Sequence, residues 1–234
     1  MARPLFQLSP RLALCAKLVR EGSTLCDVGT DHAYLPIYLL KSGKILCAIA
    51  SDINSGPLAA AEKNAEKYGA EGNLILRLSD GLREIGEQEA DDIVIAGMGG
   101  ELILRIVSDT PWLQDSKKRL ILQPMSSMEE LRIGLRDLGF AVLEEHAAED
   151  AGKIYSAFSA AFLGTTPETD ELYPYLGKLQ PGEEAVAQYA EKILRELRNR
   201  LKGAERGKGE QSPEELKQII QSIEARYLSQ EYRT

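Results

Sequence analysis

Short apolar runs alternate with helical segments along the first two thirds of the chain, and this alternation restricts the fold more than any other feature. Successive parallel strands need a crossover between them, and the crossover is usually a helix. The pattern therefore predicts an α/β fold, with a doubly wound, mostly parallel sheet and helices on both faces. The five predicted strands are Thr24–Val28, Ile45–Ala50, Leu74–Leu78, Ile93–Ala96 and Arg119–Gln123.

Helical segments surround these runs. The first predicted helix begins at Ser9-Pro10, where a capping residue precedes a proline. The later runs Phe140–Glu145 and Ile154–Phe162 have no helical segment between them, so we predict that they form an antiparallel pair. The other predicted helices of this part of the chain are Tyr34–Lys41, Pro57–Tyr68, Glu101–Val107 and Met128–Leu138.

The character of the sequence changes after the last predicted strand. Tyr173–Gly182 is predicted to be a loop, and residues 183–202 carry apolar residues along one broad helical face. A second amphipathic helix begins at Ser212-Pro-Glu-Glu215, which has the sequence of a capping box. With a short polar connection at 203–209, the two helices are expected to pack as an antiparallel, coiled-coil-like hairpin. The predicted domains are residues 1–165 and residues 166–234.

Composition limits the class of protein. The 234 residues carry a net charge of −8, which argues against nucleic-acid binding through overall charge but leaves room for a local basic patch. Three scattered cysteines without a CxxC pair favour a reducing compartment, and we expect a cytoplasmic protein. No apolar run approaches the roughly 18 residues that span a bilayer, and no metal-ligand spacing is present, so we expect no membrane and no metal.

The first predicted strand ends in Asp27-Val-Gly-Thr-Asp-His-Ala33. This is a degenerate form of the acidic-x-Gly-x-Gly-x-Gly turn that binds nucleotides, in which Asp31 and Ala33 replace the second and third glycines. On its own this turn is equally consistent with an ordinary connection between a strand and a helix. Its position at the carboxyl end of a buried strand is where open α/β sheets hold ligands.

The next three strands also end in acidic or glycine-rich turns. Asp52 follows the second strand, where a carboxylate can accept both hydroxyls of a ribose. Asp80 follows the third strand in Ser-Asp-Gly, and the fourth ends in Gly97-Met-Gly-Gly100, where backbone can approach a ligand closely. Four consecutive strand ends of this kind predict a nucleoside-binding crevice.

At this point the chain resembles the class I S-adenosylmethionine-dependent methyltransferases, and most closely the TrmK family of bacterial tRNA (adenine-22-N1)-methyltransferases. The resemblance implies a Rossmann-like fold, S-adenosylmethionine as cofactor and tRNA as substrate. It covers residues 5–165, and a helical tail is also expected in that family. The motifs that carry it are Asp-Val-Gly-Thr-Asp-His-Ala-Tyr-Leu-Pro (27–36), Ala-Ser-Asp-Ile-Asn (50–54), Leu-Ser-Asp-Gly-Leu (78–82), Ile-Ala-Gly-Met-Gly-Gly (95–100), Leu-Gln-Pro (122–124) and Gly-Lys-Ile-Tyr (152–155).

The resemblance assigns cofactor roles to residues of each strand end. The first turn is expected to hold the methionine end, the second strand end the ribose and one side of the adenine, and the third strand end the rest of the adenine. The fourth strand end is expected to form the floor below the sulfonium. The implied cofactor residues are Asp27, Gly29, Thr30, Asp31, Asp52, Ile53, Asn54, Ser79, Asp80, Gly81, Ala96, Gly97, Met98 and Gly99.

Methylation at adenine N1 places few demands on the protein beyond alignment, because the sulfonium methyl group is already electrophilic. The target adenine must be unpaired, since pairing occupies N1, and a nearby carboxylate would stabilise the cation that forms. Gly-Met-Gly-Gly replaces the Asn-Pro-Pro-Tyr motif that many base methyltransferases use to hold the base. The remaining catalytic candidates, in order of preference, are Asp31, His32, Tyr34 and Tyr155.

Basic residues are concentrated in the first helix of the hairpin and the turn after it, although the chain as a whole is acidic. We predict that this segment follows RNA phosphates, although a charged helix face can also be no more than solvated surface. Arg132 and Arg136, one turn apart, are expected to extend the patch. The predicted RNA-binding residues of the hairpin are Lys192, Arg195, Arg198, Arg200 and Lys202.

Three alternatives remain open from the sequence. The first is a methyltransferase of the same fold that acts on a small molecule, and the second is a nicotinamide-dependent dehydrogenase, which the missing glycines of the first turn disfavour. The third is a non-enzymatic RNA-binding protein with a methyltransferase-like fold, which the acidic strand ends disfavour. For all readings we expect a monomer without an obligate protein partner.

Overall fold

The computed structural model describes residues 5–208 and 211–229 as a seven-stranded sheet with helices on both faces and a helical hairpin after the last strand. Within these residues no helix is long and apolar enough to cross a membrane. The strands are β1 (Thr24–Val28), β2 (Cys47–Asp52), β3 (Leu74–Leu78), β4 (Asp92–Gly99), β5 (Arg119–Ser126), β6 (Phe140–Asp150) and β7 (Lys153–Phe162). The helices are α1 (Pro10–Leu18), α2 (Tyr34–Lys41), α3 (Ser55–Tyr68), α4 (Gly100–Ser108), α5 (Met128–Asp137), α6 (Tyr173–Leu176), α7 (Glu184–Ala204) and α8 (Pro213–Tyr227).

The strand order is β3-β2-β1-β4-β5-β7-β6, and the first five strands in the sequence are parallel. β7 lies antiparallel between β5 and β6. The predicted mostly parallel sheet and the predicted antiparallel pair at its edge are both confirmed. The chain ends 1–4 and 230–234 of the two predicted domains, and Gly209 of the predicted connection, lie outside the described residues.

The sheet is covered on both faces, as its continuous apolar strands require. On β4, Ile93 and Ile95 face one buried cluster and Val94 faces the other. Leu120 and Ile121 of β5 divide between the same two clusters. Because successive side chains of a strand point to opposite faces, strands with no polar alternation can be stable only between two helical layers.

Two strands run further than the sequence predicted. β4 continues through Gly99 and β5 through Ser126, so the predicted stops at Gly97 and Pro124 are wrong. The pairing of Met98 with Pro124 is flanked by register shifts. A bulge of this kind tolerates proline, which cannot donate a ladder hydrogen bond, and it carries the two strand ends onward together.

The hairpin is confirmed as antiparallel. Arg198 is paired with Glu224 and Glu205 with Lys217, so the residues of α7 and α8 oppose one another in reverse order. The predicted capping box is present, with Ser212 and Glu215 exchanging hydrogen bonds at the start of α8. The predicted loop at 173–182 is partly wrong, because it contains the short helix α6, whose tyrosines are buried.

The hairpin packs on the sheet through a third apolar cluster, which includes Leu194 and Leu197 of α7, Ile223 of α8 and Ala147 of β6. A buried ion pair lies at the same junction. Arg132 of α5 is fully buried and donates to Glu145 of β6, so the expectation that Arg132 extends a surface patch is wrong.

Candidate functional site

The carboxyl ends of β1 and β4 form the point where the order of the sheet reverses. β2 and β3 follow β1 on one side, and the chain then returns to place β4 on the other side of β1. The helices that follow β1 and β4 leave in different directions from such a point, and this opens a crevice at the sheet edge. The residues predicted from the four strand ends therefore meet at one edge of one sheet.

The turn after β1 has the backbone conformation of a glycine-rich loop, although only one of its glycines is present. Gly29 has φ +74°, and Asp31 and Ala33 have φ of 51° and 55°. The positions where the sequence replaces glycine thus keep a left-handed backbone, which costs a non-glycine residue about 1–3 kcal/mol. The backbone N–H groups of Gly29 and Thr30 both donate to the carbonyl of Ser51, which fixes the turn to β2.

Asp27 lies beneath this turn and not on its surface. It is 6% exposed, and the Thr30 hydroxyl donates to its carboxylate over 2.6 Å. Burial raises the pKa of Asp27 to about 6, against the opposing effect of the Thr30 hydrogen bond. A bound cation near the turn would favour the charged form and lower this pKa.

Three of the predicted catalytic residues form one exposed group. The imidazole of His32 lies 3.5 Å from the carboxylate of Asp31, which is largely exposed, and its ring centroid is 5.5 Å from that of Tyr34. The ring of Tyr34 also packs edge-on against Phe6 at 5.2 Å. Tyr155 belongs to a different set of residues, in a cleft bordered by the end of β5 and by α7.

The ends of β2 and β3 combine carboxylates with exposed apolar side chains. The Asp52 carboxylate accepts the Asn54 backbone N–H at 2.8 Å, which holds the β2 turn. Ile53 is 60% exposed and Leu78, which pairs with Asp52 in the sheet, is 56% exposed. Apolar walls beside a carboxylate suit a flat ring with hydrogen-bond donors at its edge.

The third strand end is held by its own hydrogen bonds. The buried Ser79 hydroxyl donates to the carbonyl of Gly81 and accepts the backbone N–H of Glu84. Asp80 is partly exposed and pairs with Arg83 at 2.8 Å. Of the two predicted adenine-site side chains, Ser79 therefore shapes the loop and Asp80 faces solvent.

The glycines at the end of β4 allow this strand end to pack closely on its neighbours. A Cβ on Gly29 would overlap the methyl group of Met98, so the ends of β1 and β4 are in direct contact. A Cβ on Gly99 would lie 3.2 Å from the Ser126 hydroxyl, and one on Gly100 would overlap the backbone of Ser127. Gly-Met-Gly-Gly thus forms a closely packed floor between the ends of β1 and β5, with Ala96 half-buried at its start.

Arg11 is a residue that sequence reasoning missed. It projects from α1, donates to the buried amide oxygen of Gln123 at 2.8 Å and lies 3.9 Å from the Asp150 carboxylate. Its guanidinium would lie 3.4 Å from a Cβ on Gly97. Arg11 therefore packs against the start of the floor at Gly97, and no local pattern in the sequence indicates it.

The predicted basic residues of α7 differ in their environments. Arg198 pairs with Glu224, and Arg200 makes two hydrogen bonds to Glu129 of α5. Arg195 and Lys202 are exposed, and no carboxylate within the described ranges 5–208 and 211–229 forms an ion pair with them. The Lys192 ammonium lies over the ring of Tyr189, 5.5 Å from its centroid. Among the described residues, no group of three or more metal-ligating side chains is present.

Comparison with known proteins is consistent with this geometry. The family described as "Methyltransferase domain" matches residues 8–158. The tRNA (adenine(22)-N(1))-methyltransferase of Bacillus subtilis (strain 168) is 39% identical over 154 residues, which are 66% of this chain and 65% of that protein, just under two thirds of its length. The chain belongs to the TrmK family of class I methyltransferases.

Solved members of the family share nearly the whole structure. Streptococcus pneumoniae Sp1610, in complex with S-adenosyl-L-methionine, is 34% identical, with a TM-score of 0.79 over 94% of this chain and 99% of that one. M. capricolum TrmK, in complex with S-adenosyl-homocysteine, is 28% identical, with a TM-score of 0.75 over 94% of this chain and 97% of that one. Because the coverage extends past residue 165, the helical hairpin is part of the family structure.

Comparing Gly29→Ala with Gly43→Ala distinguishes the effect of a clash between the ends of β1 and β4 from the effect of backbone strain alone. The new methyl group would displace the Met98 side chain from the floor, so we expect at least a tenfold loss of affinity for S-adenosyl-homocysteine, measured by calorimetry. Gly43→Ala is the matched control, because Gly43 has nearly the same φ of +73° but no neighbour within 4 Å. Both variants should lose stability by more than about 1 kcal/mol. Equal affinities in the two variants would contradict the assignment of Gly29.

Proposed function

We propose that this protein transfers a methyl group from S-adenosylmethionine to N1 of an adenine in tRNA, with position 22 as the target. The observation that carries the proposal is the convergence of four acidic or glycine-rich strand ends at the switch point of a TrmK-family sheet. The B. subtilis relative is a tRNA (adenine(22)-N(1))-methyltransferase, and family members have been solved with the cofactor and with its product.

The cofactor is expected to lie along the crevice from the β1 turn to the β3 end. Gly29, Thr30 and Asp31 would hold the methionine end, with its ammonium near enough to Asp27 to favour the charged carboxylate. The Asp52 carboxylate has a free oxygen for the ribose hydroxyls, because only one of its oxygens accepts the Asn54 N–H. The remaining contacts would come from Ile53, Asn54, Ser79, Asp80, Gly81, Ala96, Gly97, Met98 and Gly99.

When bound, the cofactor supplies an electrophilic methyl group on a sulfonium. The protein must place adenine N1 in line with the methyl carbon and the sulfur, so that the N–C bond forms as the C–S bond breaks. The absence of side chains at Gly97 and Gly99 would let the base approach the backbone of the floor closely. Methylation leaves a positive charge on the base, which the Asp31 carboxylate would stabilise, and the same carboxylate would accept the proton that the exocyclic amine loses.

Asp31 is preferred for this role because its side chain is largely exposed at the cofactor turn and its backbone is strained. His32 and Tyr34, which contact it or one another, would orient it and the base. Strained backbone of this kind concentrates where geometry must be fixed for function. Tyr155, on the other side of the floor, would position RNA and would not take part in proton transfer.

We assign the two predicted domains different tasks: residues 1–165 bind the cofactor and carry out the transfer, and residues 166–234 hold the tRNA. At 3.6 residues per turn, Arg195 and Lys202 lie about 20° apart on α7, on the side opposite the buried Ile193 and Leu197. Lys192 lies about 60–80° from them, toward Tyr189 and the cleft between α7 and the sheet. The apolar face of the hairpin is covered by the chain itself, which supports a monomer, and the composition supports a cytoplasmic enzyme.

The reaction is tested by incubating the protein with labelled S-adenosylmethionine and unmodified tRNA, and then identifying the labelled nucleoside after digestion. We expect N1-methyladenosine, and we expect label to be lost when the target adenosine is replaced by guanosine. Label in another nucleoside would disprove the target atom. Transfer to a small molecule but to no RNA would replace the proposal with the small-molecule alternative.

The RNA-binding face is tested by Arg195→Ala/Lys202→Ala. Loss of two phosphate contacts should weaken tRNA binding uniformly across tRNA species and reduce the slope of log affinity against log salt by roughly 1–2. Arg198→Ala/Glu224→Ala is the control, because it removes a cation of α7 together with its partner and leaves the net charge unchanged. If both double variants keep the wild-type salt slope, the hairpin does not follow phosphates.

A further inference from the structure

A polar cleft of about 400 Å³ lies between the end of β5, β7 and α7. Ser126 borders it at the end of β5, Glu130 comes from α5, Tyr155 from β7, and Lys192 and Glu196 from α7. Its size falls in the range of pockets that enclose small ligands. None of the residues assigned to the cofactor lines this cleft.

The cleft adjoins the floor of the proposed transfer site and is distinct from it. Gly99 packs against Ser126, which borders the cleft, so the two spaces share one wall. In the strand order, β7 is two strands away from β4, which corresponds to about 10 Å. A base held against β7 would therefore lie beside a base held over β4, at the position of a neighbouring nucleotide.

The lining provides three kinds of contact. Tyr155 is only partly buried, so its ring is available for stacking, and Met125 beside it is 45% exposed. Lys192 forms no ion pair with a carboxylate of the described chain, and it is held over the ring of Tyr189 at the rim of the cleft. The Arg200–Glu129 pair closes one side of the cleft by joining α7 to α5.

The charges of the cleft disfavour a small, highly charged anion. Glu130 and Glu196 line it without an ion-pair partner among the described residues, so several carboxylates surround the single unpaired cation of Lys192. A nucleotide fits this mixture better. Its phosphate is attracted to an ammonium at the rim, its base has a face for an aromatic ring, and its amino groups donate to carboxylates.

We propose that this cleft binds one unstacked nucleotide of the RNA substrate, next in the chain to the adenosine that is methylated. The inference rests on the proposed function. Turning the target base out of the RNA removes a stacking partner from its neighbour. Tyr155 replaces that partner, and Lys192 holds the adjoining phosphate. The cleft therefore lowers the cost of exposing the target.

The test measures whether the effect of Tyr155→Leu on RNA affinity depends on the presence of an individual base in the RNA. Unmodified tRNA transcripts are made intact, with an abasic residue at the target, or with an abasic residue on its 5′ or its 3′ side. Their affinities for the wild type and for Tyr155→Leu are measured in the presence of S-adenosyl-homocysteine. Base–aromatic stacking of about 1–3 kcal/mol corresponds to roughly a 5- to 150-fold change in affinity.

For the wild type, we expect one flanking abasic transcript to bind at least about fivefold more weakly than intact tRNA. Tyr155→Leu should bind intact tRNA more weakly by a similar factor and should lose no further affinity for that abasic transcript. Tyr38→Leu is the matched control, since Tyr38 is a partly buried tyrosine outside both the cleft and the proposed catalytic group, and its substitution should leave the loss caused by the missing base unchanged. An unchanged affinity of Tyr155→Leu for S-adenosyl-homocysteine shows that the fold is intact.

If the affinity lost through Tyr155→Leu simply adds to the affinity lost through the missing base, for both the 5′ and the 3′ abasic transcript, the proposal is overturned. Coupling of Tyr155 to the target base instead would also overturn it, because the cleft would then hold the target itself. Lys192→Ala provides a second measurement if Tyr155→Leu does not fold. Its loss of affinity should disappear when the phosphate beside the flanking nucleotide is replaced by a neutral methylphosphonate. Failure of the proposed function would be seen in a different measurement, in which the wild type transfers no methyl group to intact tRNA.

Discussion

The side chains of Arg132 and Glu145 meet in the interior where the hairpin joins the sheet, and both are completely buried. Arg132 also donates to the carbonyl of Pro174 at 2.8 Å, and Glu145 accepts from the Ser156 hydroxyl and the Lys178 backbone N–H. This one pair therefore connects α5, β6, β7 and the α6 region. Tyr189 of α7 is buried near this pair: burial raises the pKa of its hydroxyl, and the Arg132 charge opposes that rise. This buried pair and the third apolar cluster lie together at the junction of the hairpin with the sheet.

A buried ion pair of this kind does not necessarily add much net stability, since desolvation offsets the attraction between the charges. Removing one partner, however, leaves the other charge uncompensated and typically costs about 3–5 kcal/mol. That is a large part of the roughly 5–15 kcal/mol by which folded domains are stable.

Ser156 is next to Tyr155, and Tyr189 is one turn from Lys192, so the pair lies directly behind the cleft for which we propose a nucleotide. The cofactor turns at β1, β2 and β3 make none of these contacts. The structure thus separates the strand ends proposed to bind the cofactor from the side proposed to face the RNA, whose geometry depends on one polar cluster.

Most of the sheet is predictable from the sequence, because buried parallel strands are apolar on both faces and end in turn residues. The hairpin is also predictable, since α8 begins with a complete capping box.

The errors in the predictions have physical causes. Proline and glycine indicated strand ends at Gly97 and Pro124, but paired bulges let both strands continue. Arg132 has the spacing of a surface residue on α5, and its partner Glu145 comes from another element, so only tertiary structure reveals that it is buried. The strand-end residues of the site were predicted from their positions, whereas Arg11 was missed because it reaches the floor from α1.

Hydrogen exchange in Arg132→Met tests most directly whether the strand ends of β1, β2 and β4 are independent of the hairpin side. The substitution keeps the volume of the side chain but leaves Glu145 without its partner. Faster exchange should be confined to residues 173–204 and the adjoining parts of β6 and β7, while the amides of β1, β2 and β4 keep wild-type rates and their protection by S-adenosyl-homocysteine. Arg136→Met is the control, because Arg136 lies one turn away on α5 and pairs with Asp137 at the surface. Its exchange should match the wild type, as exposed pairs contribute about 1 kcal/mol or less. Faster exchange throughout the sheet in Arg132→Met, or no change in α7, would show that the buried pair does not seat the hairpin.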